Sequence, residues 1–180
     1  DILRPVNGQK GTELPVSVFA NELDGVYDKC GADGTFPTAT TKFEKRGVAV
    51  HSPKWVPENC IQCNQCAFVC PHSVIRPVLA KEEELTGAPD GFDTIEAKGK
   101  GFEGLQYRIQ FSSMDCTGCG SCIDVCPAKT KALTMVSLAY QVADGQCERQ
   151  AFSETIPFRN PMKKETVKGS QFEQSLFEYN

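Results

Sequence analysis

The chain has 180 residues, 40% of them hydrophobic, with 19 Lys and Arg set against 23 Asp and Glu, for a formal charge of −4. That size holds one domain or two small ones, and the acidic balance argues against nucleic acid as the main partner. No apolar run approaches the roughly 20 residues of a membrane-spanning helix, and no charged n-region followed by an h-region opens the chain. The compositional outlier is cysteine, with ten residues. The chain starts at Asp1 without Met, as expected of a piece of a longer protein.

Residues 1–58 contain Cys30 and His51, neither in a ligand-spaced group, so both read as structural. Leu14 to Phe19 reads as a short strand, and Gly31 to Thr38, with its Gly and Pro, as a loop. In Phe43-Glu44-Lys45-Arg46-Gly47-Val48-Ala49-Val50 the alternation into Val48 and Val50 predicts a strand. On composition alone the charged triplet ahead of it is a solvated face. His51 to Pro57 reads as a link punctuated by Pro53 and Pro57, with Trp55 expected to cover whatever the next loop binds.

Two copies of one pattern follow: Cys60, Cys63, Cys66, Cys70-Pro71, and Cys116, Cys119, Cys122, Cys126-Pro127. Both read C-x2-C-x2-C-x3-C-P, the run that ligates [4Fe–4S] clusters in bacterial two-cluster ferredoxins. Two-residue gaps let a loop place three thiolates on three corners of a cubane. The fourth cysteine sits past a helical turn and is directed to the other cluster. The expected ligand sets are therefore Cys60, Cys63, Cys66 and Cys126 for one cluster, and Cys116, Cys119, Cys122 and Cys70 for the other. Cys30 and Cys147 are left over as non-ligands. Zinc sites favour separated C-x2-C pairs, and disulfide frameworks favour small secreted chains. Two clusters, each about −2 with its thiolates, bring the charge to roughly −8. Thiolate ligation needs a reducing compartment, hence an expected cytoplasmic location.

Each copy reads as loop, short helix and strand. Ala67 to Val69 form a helical turn and Val74 to Leu79 a strand. Tyr107 to Phe111 form a strand, Ile123 and Val125 lie on a turn, and Ala132 to Val136 form the exit strand. The fold class is α+β: a two-[4Fe–4S] ferredoxin-like domain with pseudo-twofold βαβ repeats, preceded by a small α/β domain. The expected division is 1–58, then 59–156 with an insertion at 72–115, then a connecting arm at 157–180. In the insertion Lys81 to Leu85 reads as a helical turn and Ala97 to Gly101 as a flexible basic stretch, either a docking surface or a plain loop. Leu138 to Val142 start a helix and Cys147 lies in a turn after Gly145. From Pro157 the text is extended and polar, with aromatics from Phe172 to Tyr179 suited to docking on another domain. Lys98, Lys100, Lys129 and Lys131 are candidates for a positive docking patch.

Phe43 to Gly47 ahead of Pro57 to Cys66, then Met114 to Pro127, then Asn160 to Phe172, resemble pyruvate:ferredoxin (or flavodoxin) oxidoreductases. The matching region there joins a small Glu-Lys-Arg domain to a ferredoxin-like domain. The resemblance covers essentially the whole chain. It implies electron exit through two [4Fe–4S] clusters to ferredoxin or flavodoxin, with no catalytic residue in this chain. In the full enzyme it implies thiamine diphosphate, Mg2+, coenzyme A and a third cluster on the remaining domains, where pyruvate is decarboxylated to acetyl-CoA. In a eukaryote the same resemblance allows an anaerobic organelle. Two alternatives stay open: a ferredoxin-type subunit of another 2-oxoacid oxidoreductase, or a zinc-bound interaction module.

Overall fold

The computed structural model of the chain describes residues 3–15, 17, 45–160 and 162–173. The chain divides into two compact units, Asp1–Glu44 with Tyr179–Asn180, and Lys45–Glu178. In the first, helix α1 (Leu3–Asn7) carries Pro5 in its first turn, where a missing N–H costs nothing. A 3-10 turn follows over Gly11–Glu13. Leu14, expected to open a strand, instead closes that turn, its N–H donating to Gly11 O at 3.2 Å. Residues 16, 18 and 19 of that expected strand, the loop at 31–38 and Cys30 lie outside the described residues.

The second unit has two small antiparallel sheets. Strands β1 (His51–Trp55) and β5 (Leu133–Ser137) form one, with His51 opposite Ser137 and Trp55 opposite Leu133. Strands β2 (Ile75–Lys81), β4 (Leu105–Phe111) and β3 (Ile95–Glu96) form the other, in the order β2-β4-β3. The first strand therefore lies at 51–55, and Val48 and Val50 stand exposed outside it. Pro53 had argued for a link, yet it fits the strand. Val56 N donates to Ala132 O and Leu138 N to Val50 O, so the ladder bonds fall on even-numbered residues of β1. Pro53 thus sits at a position whose nitrogen faces away from β5. Pro77 does the same in β2, since the Ser112 N to Val74 O bond puts the ladder on even residues there too. Both prolines occupy edge strands, where a lost donor is tolerated.

Strand β4 is buried on both faces. Tyr107, Ile109 and Phe111 point into the main core with Trp55, Ile75, Leu79, Phe102, Leu133 and Phe172. Arg108 and Gln110 point the other way, into a polar layer. There Arg108 Nη1 donates to Asp93 O at 2.7 Å and Arg149 Nη1 to Asp90 O at 2.8 Å. Helices α4 (Leu138–Ala143) and α5 (Gln146–Ser153) close this side, and Phe92 and Phe152 meet edge to face at 4.9 Å. The insertion is thus a built part of the domain, with Phe92, Ala97 and Phe102 buried and β3 as its third strand.

The tail also differs from an extended arm. Asn160 leads to helix α6 (Val167–Glu173), and Phe172 is 3% exposed against Phe102 and Tyr107. Arg159 anchors the approach, its guanidinium bidentate on Glu84 with a further bond to Leu79 O at 2.9 Å. The Arg159 hydrogen bonds, and after them the Lys81 N–H, hold the Glu84 carboxyl down at about 2. Residues 174–180 lie outside the described set. Among the described residues no helix is long and apolar enough to cross a membrane.

Candidate metal centres

The two cysteine loops have matching backbones. Gln62 and Asn64 stand at φ 58° and 60°, and Gly118 and Gly120, at the same places in the second run, at 72° and 79°. Left-handed residues at these places wind the loop around a centre, and Asn64 and Gly120 then start helices α2 (Gln65–Val69) and α3 (Ser121–Asp124). In each loop an N–H turns back onto the first sulfur: Gln62 N to Cys60 Sγ at 3.4 Å, and Gly118 N to Cys116 Sγ at 3.3 Å. Gly118 has a second reason. A Cβ there would lie 3.0 Å from His51 O, so the loop lies close against the start of β1.

Two cavities follow from this winding. One is lined by Cys60, Cys63, Cys66 and Cys126 with Trp55, Tyr107 and Ile109. The other is lined by Cys116, Cys119, Cys122 and Cys70 with Val74, Ile75 and Met135. Their volumes are alike, at about 20 Å³ each. Each cavity thus draws three cysteines from one run and one from the other.

The two differ in wetness. In the first, burial pushes the Cys66 thiol far above the ordinary range, with Cys60 and Cys63 adding to the rise. Cys60 is raised by burial as well, against the Trp55 side chain and the Gln62 N–H, which lower it. Trp55 Nε1 is buried, faces this sulfur and meets no acceptor at hydrogen-bond distance. A sulfur-rich guest supplies that acceptor. In the second cavity Cys122 is pushed up to about 12 and Cys116 is raised, both mainly by burial. Cys119, however, is exposed, and the Ser121 hydroxyl and N–H pull it down. Clustered, apolar-walled thiols of this kind suit a group that binds thiolates and displaces their protons.

Gln62 and Asn64 are both 1% exposed. Gln62 Nε2 donates to Glu96 O at 2.7 Å and its Oε1 accepts from Lys98 N at 2.8 Å. Asn64 Nδ2 donates to Lys168 O at 2.9 Å and its Oδ1 accepts from Tyr107 Oη at 2.6 Å. These amides fasten the insertion and the tail onto the first loop. Aligning the runs exposes the signal: Gln and Asn stand where the second copy has Gly.

The remaining candidates fall elsewhere. Cys147 is exposed in the first turn of α5, in place of the expected turn, and it lines neither cavity. His51 is exposed at the start of β1. Lys45 pairs with Asp115, next to Cys116, so part of the charged triplet is a fastening and not only a solvated face. Lys98, Lys100 and Lys129 are exposed. Lys131 is engaged, its ammonium donating to Cys126 O at 2.7 Å and Asp124 O at 3.2 Å at the end of α3.

Family comparison fits this geometry. Residues 59–130 match the model of the 4Fe-4S dicluster domain. Ahead of it, residues 1–49 match the model named EKR, a domain of unknown function. The whole chain, dicluster domain included, is 53% identical over 180 residues to the pyruvate:ferredoxin oxidoreductase of Moorella thermoacetica, covering 99% of this chain. It is 51% identical over 180 residues to the pyruvate-flavodoxin oxidoreductase of Enterobacter agglomerans, covering 100% of this chain. It is also 40% identical, over 99% of its length, to the mitochondrial pyruvate dehydrogenase [NADP(+)] of Euglena gracilis. It spans 14% of the length of the first two relatives and 9% of the third. The dicluster domain is of the α+β class and binds two [4Fe–4S] clusters.

Proposed function

We propose that this chain is the electron-conducting portion of a longer pyruvate:ferredoxin or pyruvate-flavodoxin oxidoreductase. Cys60, Cys63, Cys66 and Cys126 hold one cluster, and Cys116, Cys119, Cys122 and Cys70 the other. The observation that carries the reading is the grouping of the eight sulfurs into two cavities with one cysteine exchanged.

The clusters supply one-electron chemistry, and the protein's part is to hold them, dry them and aim N–H groups at sulfur. The matched φ angles and N–H to sulfur contacts of the two loops support a pseudo-twofold repeat. In this reading a small Glu-Lys-Arg domain precedes the ferredoxin-like domain, with its end between residues 44 and 58, and the stretch from 157 leads on toward further domains. Pyruvate oxidation, with thiamine diphosphate, Mg2+, coenzyme A and a third cluster, belongs to those domains. Ferredoxin or flavodoxin takes the electrons, in the cytoplasm.

The test is spectroscopic. Each single variant is compared with the cluster-loaded protein, whose iron and sulfide should each be near eight per chain, as two cubanes require. Cys70→Ala should damage the same electron paramagnetic resonance signal as Cys116→Ala and spare the one damaged by Cys60→Ala. If Cys70→Ala and Cys60→Ala strike the same signal, the crossed ligand sets are wrong.

A further inference from the structure

We propose that Lys168, delivered by helix α6, is a potential-setting residue for the cluster assigned to Cys60, Cys63, Cys66 and Cys126. Its part is to hold one fixed positive charge against that cluster's loop. The inference rests on the ligand assignment above and extends it.

A closed ring of bonds fixes the position. Asn64, between Cys63 and Cys66, donates to Lys168 O at 2.9 Å. The Lys168 ammonium reaches back to Lys98 O at 2.7 Å and lies 4.9 Å from the centre of the Phe102 ring. Lys98 N in turn donates to Gln62 Oε1 at 2.8 Å, which returns the ring to the loop two residues from where it began. Apart from the half-buried Lys168 ammonium, every joint is a backbone carbonyl, a backbone N–H or a buried amide, which anchors the charge beside the loop. Among the described residues Lys168 forms no ion pair with a carboxylate. Among these residues its charge is therefore uncancelled by a salt bridge.

The need for such a charge lies in the cavity. Reduction adds one electron, and one negative charge, to a cluster that is already an anion. A dry cavity opposes that addition, and the first cavity is walled by buried Trp55, Tyr107 and Ile109. The second has exposed Cys119 open to water and the Ser121 hydroxyl beside it. Burial lowers Lys168, while the Cys60 and Cys63 sulfurs pull it back up, so the ammonium and these two sulfurs are electrostatically coupled. Coupling is mutual: a charge that feels the sulfurs stabilises negative charge placed on them. The tail helix and the first cluster's potential are thereby one device.

The experiment is a redox titration of the cluster-loaded protein, following both cluster signals. Lys168→Met keeps the apolar stem over Phe102 and drops the charge. It should shift one midpoint to lower potential, changing electron partition between the clusters about tenfold, or about 59 mV for one electron. Lys168→Arg keeps the charge and should restore the midpoint. Ser121→Ala, which removes a hydroxyl from Cys119, should lower the other midpoint and leave the first alone. Movement of neither midpoint in Lys168→Met, or of the same one in Lys168→Met and Ser121→Ala, overturns the proposal. Should Lys168→Met lose iron, Lys168→Gln, which can still donate to Lys98 O, is read instead. If neither loads, the residue is structural and the proposal falls. A wild-type protein without eight irons and eight sulfides is a different failure, that of the cluster reading itself.

Discussion

Replacing Asn64 tests how much of the fold hangs on the first loop's amides. Asn64 is nearly fully buried, stands at φ 60° and bridges Tyr107 Oη and Lys168 O. Asn64→Gly keeps the left-handed backbone comfortable and removes only the side chain. It leaves the buried Tyr107 hydroxyl without its acceptor and takes one donor from the Lys168 carbonyl, which keeps its bond within α6, so the expected cost is about 1–3 kcal/mol. Asn64→Ala adds about 1–2 kcal/mol for forcing an ordinary residue into the left-handed region. The internal control is Gly120→Ala in the second loop. Its φ is 79° but a Cβ there meets nothing within 4 Å, so only the backbone cost of about 1–2 kcal/mol applies. The assay is the anaerobic decay of cluster absorbance at a fixed raised temperature. A loss of 2 kcal/mol that falls wholly on unfolding shortens the half-life about 30-fold. Tyr107→Phe removes the same hydroxyl, so the double variant should cost less than the two single costs added. A half-life for Asn64→Gly within about twofold of wild type would refute the claim that this amide pins the tail.

Two further outcomes follow from the tail. Gly169→Ala places a Cβ 2.0 Å from Lys163 O, which only backbone movement can relieve. We expect α6 to unseat, seen as faster proteolysis after Asn160 and a lowered thermal midpoint; unchanged proteolysis would show that the tail docks without this contact. For Glu84 the sign is set by a folded carboxyl held at about 2 against an ordinary 4.5. Its ionised form contributes stability above pH 4.5 that is lost as pH falls toward 2, at most about 3 kcal/mol. Solvent screening of a pair about one-fifth exposed brings this nearer 1–2 kcal/mol. The stability gap between wild type and Glu84→Gln should therefore narrow as pH falls from about 4.5 toward 2, and a gap independent of pH over that range counts against the pair.

Much of the core was readable because its signals are local. The stretches Val74 to Leu79 and Tyr107 to Phe111 read as strands and lie in β2 and β4, and the cysteine spacing marks both loops. Strand β1 was missed because Pro53 reads as a breaker unless the register is known, and register is a property of the pair. The tail was missed for a related reason. Polar text around Lys163 and Lys164 hides Phe172, whose partners Phe102 and Tyr107 lie 70 and 65 residues earlier in the chain. Gln62 and Asn64 look like surface residues in isolation. Their burial follows from what packs over them, and only the glycines in the second copy hint at the backbone they adopt.

The exchange of cysteines between the two cavities has a consequence during synthesis. Cys126 emerges from the ribosome 60 residues after Cys66, roughly 3–12 s later at about 5–20 residues per second. Until then the first cavity lacks a wall, and the second cavity waits for the same stretch of chain although Cys70 is already made. Neither site can be finished ahead of the other by more than the few residues between Cys122 and Cys126. Delivery of iron and sulfide to a growing chain is thus gated by its second loop, and a chain that stalls between the two runs holds no complete site at all.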